Sequence, residues 1–331
     1  MDASQLHTPV MLERTLELLA PAIEAAAAAG RAPVVVDGTL GMGGHTEAML
    51  AAHPTLVVAG IDRDPDAIRL AGERLARFGD RFRPVPATYD RIDLALEAAG
   101  VGAADGILLD LGVSSLQLDA AERGFAYAKD APLDMRMGQA GDVTAATVLA
   151  ERSERELARL FQVYGDEKLA GRYARAIVAA RQEAPVETSG RLVDILQAAT
   201  PRALANQGHP AKRVFQALRI EVNQELAILE ATMPAAIDAL AVGGRLVVLA
   251  YQSLEDRIVK RALAAAAAST APAGLPVELP EHQPHLRLLV RGAELADDDE
   301  RAANPRSAPV RLRAAERIRP TSTARTTGEH A

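Results

Sequence analysis

Apolar residues in the first third of the chain gather in short unbroken runs, and each run ends in an acid. Val34-Val35-Val36 closes on Asp37, Val57-Val58-Ala59-Gly60-Ile61 on Asp62, and Gly106-Ile107-Leu108-Leu109 on Asp110. Continuous runs of this length, bounded by turn residues, predict strands buried on both faces, as in a parallel sheet. Between them the spacing is helical. Residues 12–29 predict a helix ahead of the first strand. Residues 65–78 predict another, with Ala67, Leu70, Ala71, Leu75 and Phe78 on or near one face, and a third ends at 94–99 before Gly100. Residues 83–89 lead from a short strand into a loop. Strands alternating with helices predict an open α/β sheet whose strands deliver their carboxyl ends to one edge, where ligands bind. Asp37, Asp62 and Asp110 therefore converge on one crevice.

The pattern then changes. Residues 117–225 hold little strand signal and four helical stretches, at 153–161, 167–181, 190–199 and 214–229, with joints at Ala184-Pro185, Thr200-Pro201 and Gly208-His209-Pro210. Sheet character resumes at 243–251. The economical architecture is a discontinuous α/β core, 1–116 with 226–318, interrupted by a helical domain at 117–225. Residues 271–284 read as a Pro-rich connector, 294–300 as an acidic loop, and 319–331 as a disordered tail.

Composition sets the outer limits. The 331 residues contain no apolar run of 18, and Met1-Asp2-Ala3-Ser4-Gln5-Leu6-His7 lacks a signal-peptide pattern, so a cytoplasmic protein without a membrane span is expected. The absence of cysteine excludes disulfides and thiolate metal sites. His7, His45 and His209 lack ligand spacing, and Asp297-Asp298-Asp299-Glu300 reads as solvated rather than cation-binding, so no metal is expected. The net charge of −7 argues against a general polyanion binder, but the charge is segregated. Residues 168–219 hold nine Lys/Arg against three acids, and 301–325 hold seven Arg against Glu316, each a net of +6. Such segregation fits a protein in which only some surfaces meet phosphate. In the first segment Lys212, Arg213, Arg219, Arg172 and Arg175 are the candidate contacts. The Arg-rich second segment is the alternative.

The richest local signal is Asp37-Gly38-Thr39-Leu40-Gly41-Met42-Gly43-Gly44-His45-Thr46. Glycines let backbone approach a ligand closely, and the following helix start offers N–H groups to an anion. A nicotinamide dinucleotide is the obvious competitor, but Thr46 stands where that fingerprint wants Gly or Ala. An acid ahead of the turn, with Asp62 placed to take both hydroxyls of an adenosine ribose, favours S-adenosylmethionine.

Longer strings then carry a resemblance. His7-Thr8-Pro9-Val10-Met11-Leu12, the glycine turn, Gly106 through Asp119 with Glu122-Arg123-Gly124-Phe125 and Pro132-Leu133-Asp134-Met135-Arg136-Met137, and Ser253-Leu254-Glu255-Asp256-Arg257-Ile258-Val259-Lys260-Arg261 resemble the bacterial 16S ribosomal RNA (cytosine-N4)-methyltransferase family, called RsmH or MraW. His209-Pro210-Ala211 and Arg213 through Ile220 add to it. The resemblance spans the chain to about Arg317. It implies a class I, Rossmann-like S-adenosylmethionine methyltransferase core with an inserted helical domain. The implied partner is 16S rRNA within the small ribosomal subunit, with a homodimer as the alternative to a monomer. The implied cofactor contacts are Gly43, Gly44, His45, Asp62, Tyr89, Asp110 and Gln117. Where many family members carry Phe-His, this chain has Tyr251-Gln252, and Gln cannot titrate.

The implied reaction methylates N4 of a cytidine in the decoding region. It needs orientation more than a strong base, because the amine lone pair is delocalised and the sulfonium leaves readily. Asp110, the carbonyls of Leu111-Gly112, and Ser114 or Ser115 are the candidates for holding the amine. Tyr251 and Phe125 are the candidates for stacking on a base drawn out of its helix. Asp134 and Arg136 are expected to form an ion pair at the hinge of the helical module, with RNA contacts as the alternative. Two other classes fit parts of the pattern: a nicotinamide oxidoreductase, for which no hydride-handling residue is evident, and a non-catalytic ribosome-assembly factor.

Overall fold

The three acid-terminated runs form the centre of a seven-stranded sheet in a computed structural model, which describes residues 9–114, 116–117, 120–138, 141–204, 208–272 and 279–320. Its strands are β1 (Val34–Asp37), β2 (Val57–Asp62), β3 (Phe82–Pro86), β4 (Ala104–Asp110), β5 (Leu240–Ala250), β6 (Leu286–Leu288) and β7 (Arg311–Arg317), in the order β3-β2-β1-β4-β5-β7-β6. The first five pair in parallel, and β7 runs antiparallel between β5 and β6. This is the class I, Rossmann-like methyltransferase arrangement that the resemblance implies. The strand order reverses between β1 and β4, which places the ligand crevice outside the ends of those two strands.

The chain forms two compact units, Met1–Gly112 with Ile228–Ala331, and Val113–Ala227. In the first unit every residue of β1 is buried, and its neighbours send alternate side chains to opposite faces. Val36, Ala59, Ile107 and Val248 pack on one face, and Val35, Val58, Leu108 and Val247 on the other. Helices α1 (Leu12–Ala28), α2 (Gly44–Ala52) and α3 (Pro65–Leu75) cover the second of these faces. Helices α4 (Ile92–Ala99), α10 (Glu225–Ala239, through Leu229, Met233 and Ala236) and α11 (Ser253–Ala266) cover the first. No helix among the described residues is long and apolar enough to cross a membrane.

Two expectations for the C-terminal third are corrected. The acidic stretch at 294–300 is a loop only in part. Asp297 caps a short helix, α12 (Asp298–Ala303), while Glu294 pairs with Arg14 at 2.8 Å and Glu300 accepts the Met11 N–H at 2.6 Å. The Arg-rich stretch is largely engaged by the fold. Arg313 forks Asp256 at 2.7 and 3.2 Å, and Arg317, 6% exposed, donates to the carbonyls of Ile237, Asp238 and Leu240. A guanidinium there satisfies the orphan carbonyls at the end of α10, so its charge compensates a helix terminus rather than facing phosphate.

The second unit packs α5 (Ala145–Glu151), α6 (Glu154–Gly165), α7 (Ala170–Glu183), α8 (Ser189–Ala199) and α9 (Ala211–Asn223) around Leu157, Phe161, Ile177, Leu196, Val214 and Leu218. Ser153 and Glu156 close a reciprocal capping box at the start of α6. The single helix expected at 214–229 is broken, because Gln224 takes a left-handed conformation (φ 52°). Before the break, Asn223 donates to the Met135 carbonyl at 2.7 Å and accepts the Met137 N–H at 2.8 Å, tying a neighbouring loop to α9. Asp134 and Arg136 form the expected ion pair, with contacts of 2.8 and 2.7 Å.

That loop depends on Gly124. Its φ is +72°, and a Cβ added there would lie 2.1 Å from the Pro132 carbonyl oxygen. Gly124→Ala is expected to destabilise the protein by about 2 kcal/mol or more, since the strained backbone and the clash with main chain cannot both relax. A denaturation midpoint equal to wild type would show that the loop accommodates the methyl group.

Candidate active site

The three acids at the strand ends do different work. Asp37 is 1% exposed and turned inward: its carboxylate accepts the Thr39 N–H at 3.2 Å and the Thr46 hydroxyl at 2.7 Å. Burial pushes its carboxyl above the usual range. Asp37 therefore clamps the glycine turn to α2 and does not line a crevice, which corrects the expectation that all three acids converge there. Asp62, at the end of β2, is half-buried. Its Oδ2 accepts the Gly41 N–H at 2.9 Å and its Oδ1 the Asp64 N–H at 2.8 Å. Its carboxyl too is raised, chiefly by burial, with the two backbone N–H groups acting in the opposite direction.

The turn between them requires glycine for two reasons. Gly43 precedes α2 with φ 75°, a left-handed conformation that costs a side chain about 1–2 kcal/mol. Gly44 passes so close to Pro9 that an added Cβ would lie 2.6 Å from its Cγ. The Gly43 carbonyl accepts the Glu47 N–H at 2.8 Å, starting α2 immediately after the turn. Tyr89 flanks the same turn, its Cβ 3.5 Å from where a Cβ on Gly38 would be.

Asp110 is the centre of the second group. Its backbone N–H donates to Thr39 Oγ1 at 2.6 Å, which couples the end of β4 to the glycine turn. Its Oδ1 accepts the Tyr251 hydroxyl at 2.7 Å, and His45 Nδ1 stands 3.7 Å from Oδ2. The other nitrogen of His45 lies 3.1 Å from the Val10 carbonyl. A carbonyl can only accept, so Nε2 carries a proton there. Tyr251 is delivered by β5, where Asp110 and Leu249 are in register. Burial, reinforced by the Asp110 charge, pushes its hydroxyl far above the ordinary phenol range. Tyr251 is therefore a permanent donor that fixes one carboxylate oxygen, and it cannot serve as a base.

Glu255 and Thr39 were not among the sequence-predicted site residues. Glu255, 3% exposed in the first turn of α11, accepts the N–H groups of Tyr251 and Gln252 at 2.9 and 3.0 Å. A buried carboxylate thus holds the turn that presents Tyr251. The signal for it was available: an acid three residues after Gln252, at the start of an amphipathic run, is the far half of a capping box.

The remaining predicted residues lie in the second unit. Ser114 and Gln117 are bonded to each other: the Ser114 N–H donates to Gln117 Oε1 at 3.1 Å and the Gln117 N–H to Ser114 Oγ at 3.3 Å. Ser115 lies outside the described residues, as do His7, Asp119 and residues 273–278 and 321–331. Phe125 is 7% exposed within the helical core, so packing rather than base stacking accounts for it. Among the predicted phosphate contacts, Arg219 is engaged, forking Glu225 at 2.8 and 2.9 Å, and Arg175 lies 3.4 Å from Glu154.

Comparison with known proteins adds a family and close relatives. The model of the MraW methylase family matches residues 4–318. The ribosomal RNA small subunit methyltransferase H of Leifsonia xyli subsp. xyli is 66% identical over 314 residues, covering 95% of each chain. The protein of the same description from Clavibacter michiganensis subsp. michiganensis is 64% identical over 319 residues, covering 96% of this chain and 99% of that one. That of Saccharopolyspora erythraea is 61% identical over 319 residues, with 96% and 95% covered.

Proposed function

The chain belongs to the MraW methylase family, and we propose that it methylates N4 of a cytidine in the decoding region of 16S rRNA within the small ribosomal subunit, using S-adenosylmethionine. The relatives described as ribosomal RNA small subunit methyltransferase H support the substrate class. The observation that carries the reaction is the Asp110 carboxylate, fixed by the Tyr251 hydroxyl at the end of β4, beside the reversal point of the sheet.

The residues present fit the cofactor. Each oxygen of Asp62 accepts one backbone N–H and keeps a lone pair, so two ribose hydroxyls can donate to it together. Gly43 and Gly44 bring backbone close to the ligand, and the first turn of α2, with His45, presents N–H groups to the methionyl carboxylate. Tyr89 covers the adenine, and Gln117 joins the contacts on the strength of the resemblance. When bound, the cofactor supplies a methyl group on a sulfonium.

The protein's part is orientation. Asp110 accepts a hydrogen bond from one proton of the cytosine amine, turning the nitrogen lone pair toward the methyl carbon. The bound cofactor would give up its methyl group with the carbon–sulfur electron pair staying on sulfur, and the proton that the methylated amine loses would pass to the Asp110 carboxylate that already accepts its hydrogen bond. Tyr251 holds Asp110 in place and exchanges no proton. Ser114 remains a candidate second acceptor for the amine.

The test is methyl transfer from labelled cofactor to small subunits, followed by mass spectrometry of the RNA nucleosides. N4-methylated cytidine in the decoding region is expected. Binding to subunits without any methyl mark would favour an assembly factor, and a mark on another base would overturn the assignment.

A further inference from the structure

We propose that the second unit carries a binding surface for a single-stranded RNA segment, in which a base extends the Tyr127–His209 stack and phosphates meet Lys168, Arg172 and Lys212. The proposal rests on the reading that the substrate is RNA.

The stack is the first observation. The rings of Tyr127 and His209 lie 4.4 Å apart at an interplanar angle of 21°, and Tyr127 meets the buried Phe215 edge-on at 5.8 Å. Tyr127 is thereby anchored to the helical core while His209 is exposed. His209 is also held from the other direction, since its Nδ1 accepts the Ala211 N–H at 3.2 Å. An exposed ring, already oriented and backed by a second ring, is a platform on which a splayed base stacks at small entropic cost.

The charges around it are the second observation. Arg213, in the first turn of α9, donates to the Asp166 carbonyl, and Gln216 to the Tyr164 carbonyl at 3.0 Å. Gly165 lets the two segments touch: a Cβ there would lie 2.5 Å from the Arg213 carbonyl oxygen. The turn after α6 is thus packed against the start of α9, with Lys168 two residues beyond Asp166, Lys212 one residue before Arg213, and Arg172 in the first turn of α7. All three are exposed and form no ion pair among the described residues. Of the acids in the turn after α6, Glu167 is buried with Oε1 accepting the Leu169 N–H at 2.8 Å and Asp166 is exposed, while Asp130, three residues from Tyr127, is exposed and accepts the Gly190 N–H at 2.7 Å. An exposed aromatic platform beside several cations is the chemistry that holds an RNA strand, by stacking and by phosphate neutralisation.

The experiment uses the full chain and a short fluorescein-labelled oligoribonucleotide that cannot self-pair, with anisotropy read across a salt series. Lys168→Ala/Lys212→Ala is expected to lower the slope of log affinity against log salt by about 1.4, the share of two single-strand phosphate contacts. His209→Ala is expected to weaken binding roughly fivefold or more, and His209→Phe to retain it. Both His209 variants lose the contact to Ala211, so their difference isolates stacking. A wild-type slope in the lysine variant, or wild-type affinity in His209→Ala, overturns the proposal. These losses, found together with an absence of any methyl mark from the wild-type protein, would leave the surface standing and remove the methyl-transfer reading.

Discussion

Asp110→Ala lowers methyl transfer roughly a thousandfold, the expected scale for removing a group that orients the reacting atom in a closed site. The fold should survive, because the backbone N–H of Asp110 still donates to Thr39 and β4 is buried on both faces. Steady-state rates with small subunits, beside circular dichroism of the variant, check this. A folded variant turning over at wild-type rate would remove Asp110 from the site. Tyr251→Phe separates the two roles open to Tyr251. If the hydroxyl positions Asp110, its loss costs one charge-assisted hydrogen bond, about 1.5–3 kcal/mol, and so a rate at least tenfold lower. If the ring alone matters, by stacking on the target base, Tyr251→Phe turns over normally and only Tyr251→Leu fails.

Asp62→Ala is expected to weaken cofactor binding more than tenfold. Two ribose hydrogen bonds to a charged acceptor contribute on the order of 1.5–3 kcal/mol each, and the glycine turn also loses its tie at Gly41. Calorimetry reads the affinity directly, and an unchanged value would take Asp62 out of the site. The same residue sets a pH dependence. Burial raises the Asp62 carboxyl above its usual range, and the ionised form is the acceptor that the hydroxyls need. Affinity is therefore full above that raised value and falls as pH drops through it, starting at a higher pH than an ordinary aspartate would give. Asp62→Asn should bind more weakly and lose this dependence. An identical profile in Asp62→Asn would assign the titration elsewhere, with Asp37 as the first suspect.

The local features of this site were legible because they are properties of short segments. An apolar run that ends in an acid and opens into glycines can do little else than end a buried strand at a tight turn, and Gly43 takes the positive φ that the turn requires. The motif strings likewise pointed to the family whose model matches residues 4–318. Where local signals were mixed, the reading went wrong. The strand Arg311–Arg317 interleaves arginines with apolar residues, so it read as a phosphate-binding stretch. Its guanidiniums found Asp256 and the end of α10 only once the chain had folded.

What the sequence by itself determined is the order of strand, acid and glycine turn, because backbone preference and burial period act over a few residues. Only the tertiary structure decided which acid does what. Asp37, Asp62 and Asp110 carry the same side chain at the same kind of strand end, and nothing local separates them. Asp37 and Asp62 each accept two hydrogen bonds, but Asp37 is sealed in and Asp62 is half-buried, while Asp110 accepts from a tyrosine 141 residues away in sequence. A carboxylate's role follows from whether the lone pairs it has left stay within reach of a ligand, and that depends on burial set by the packing of the sheet rather than by chain proximity.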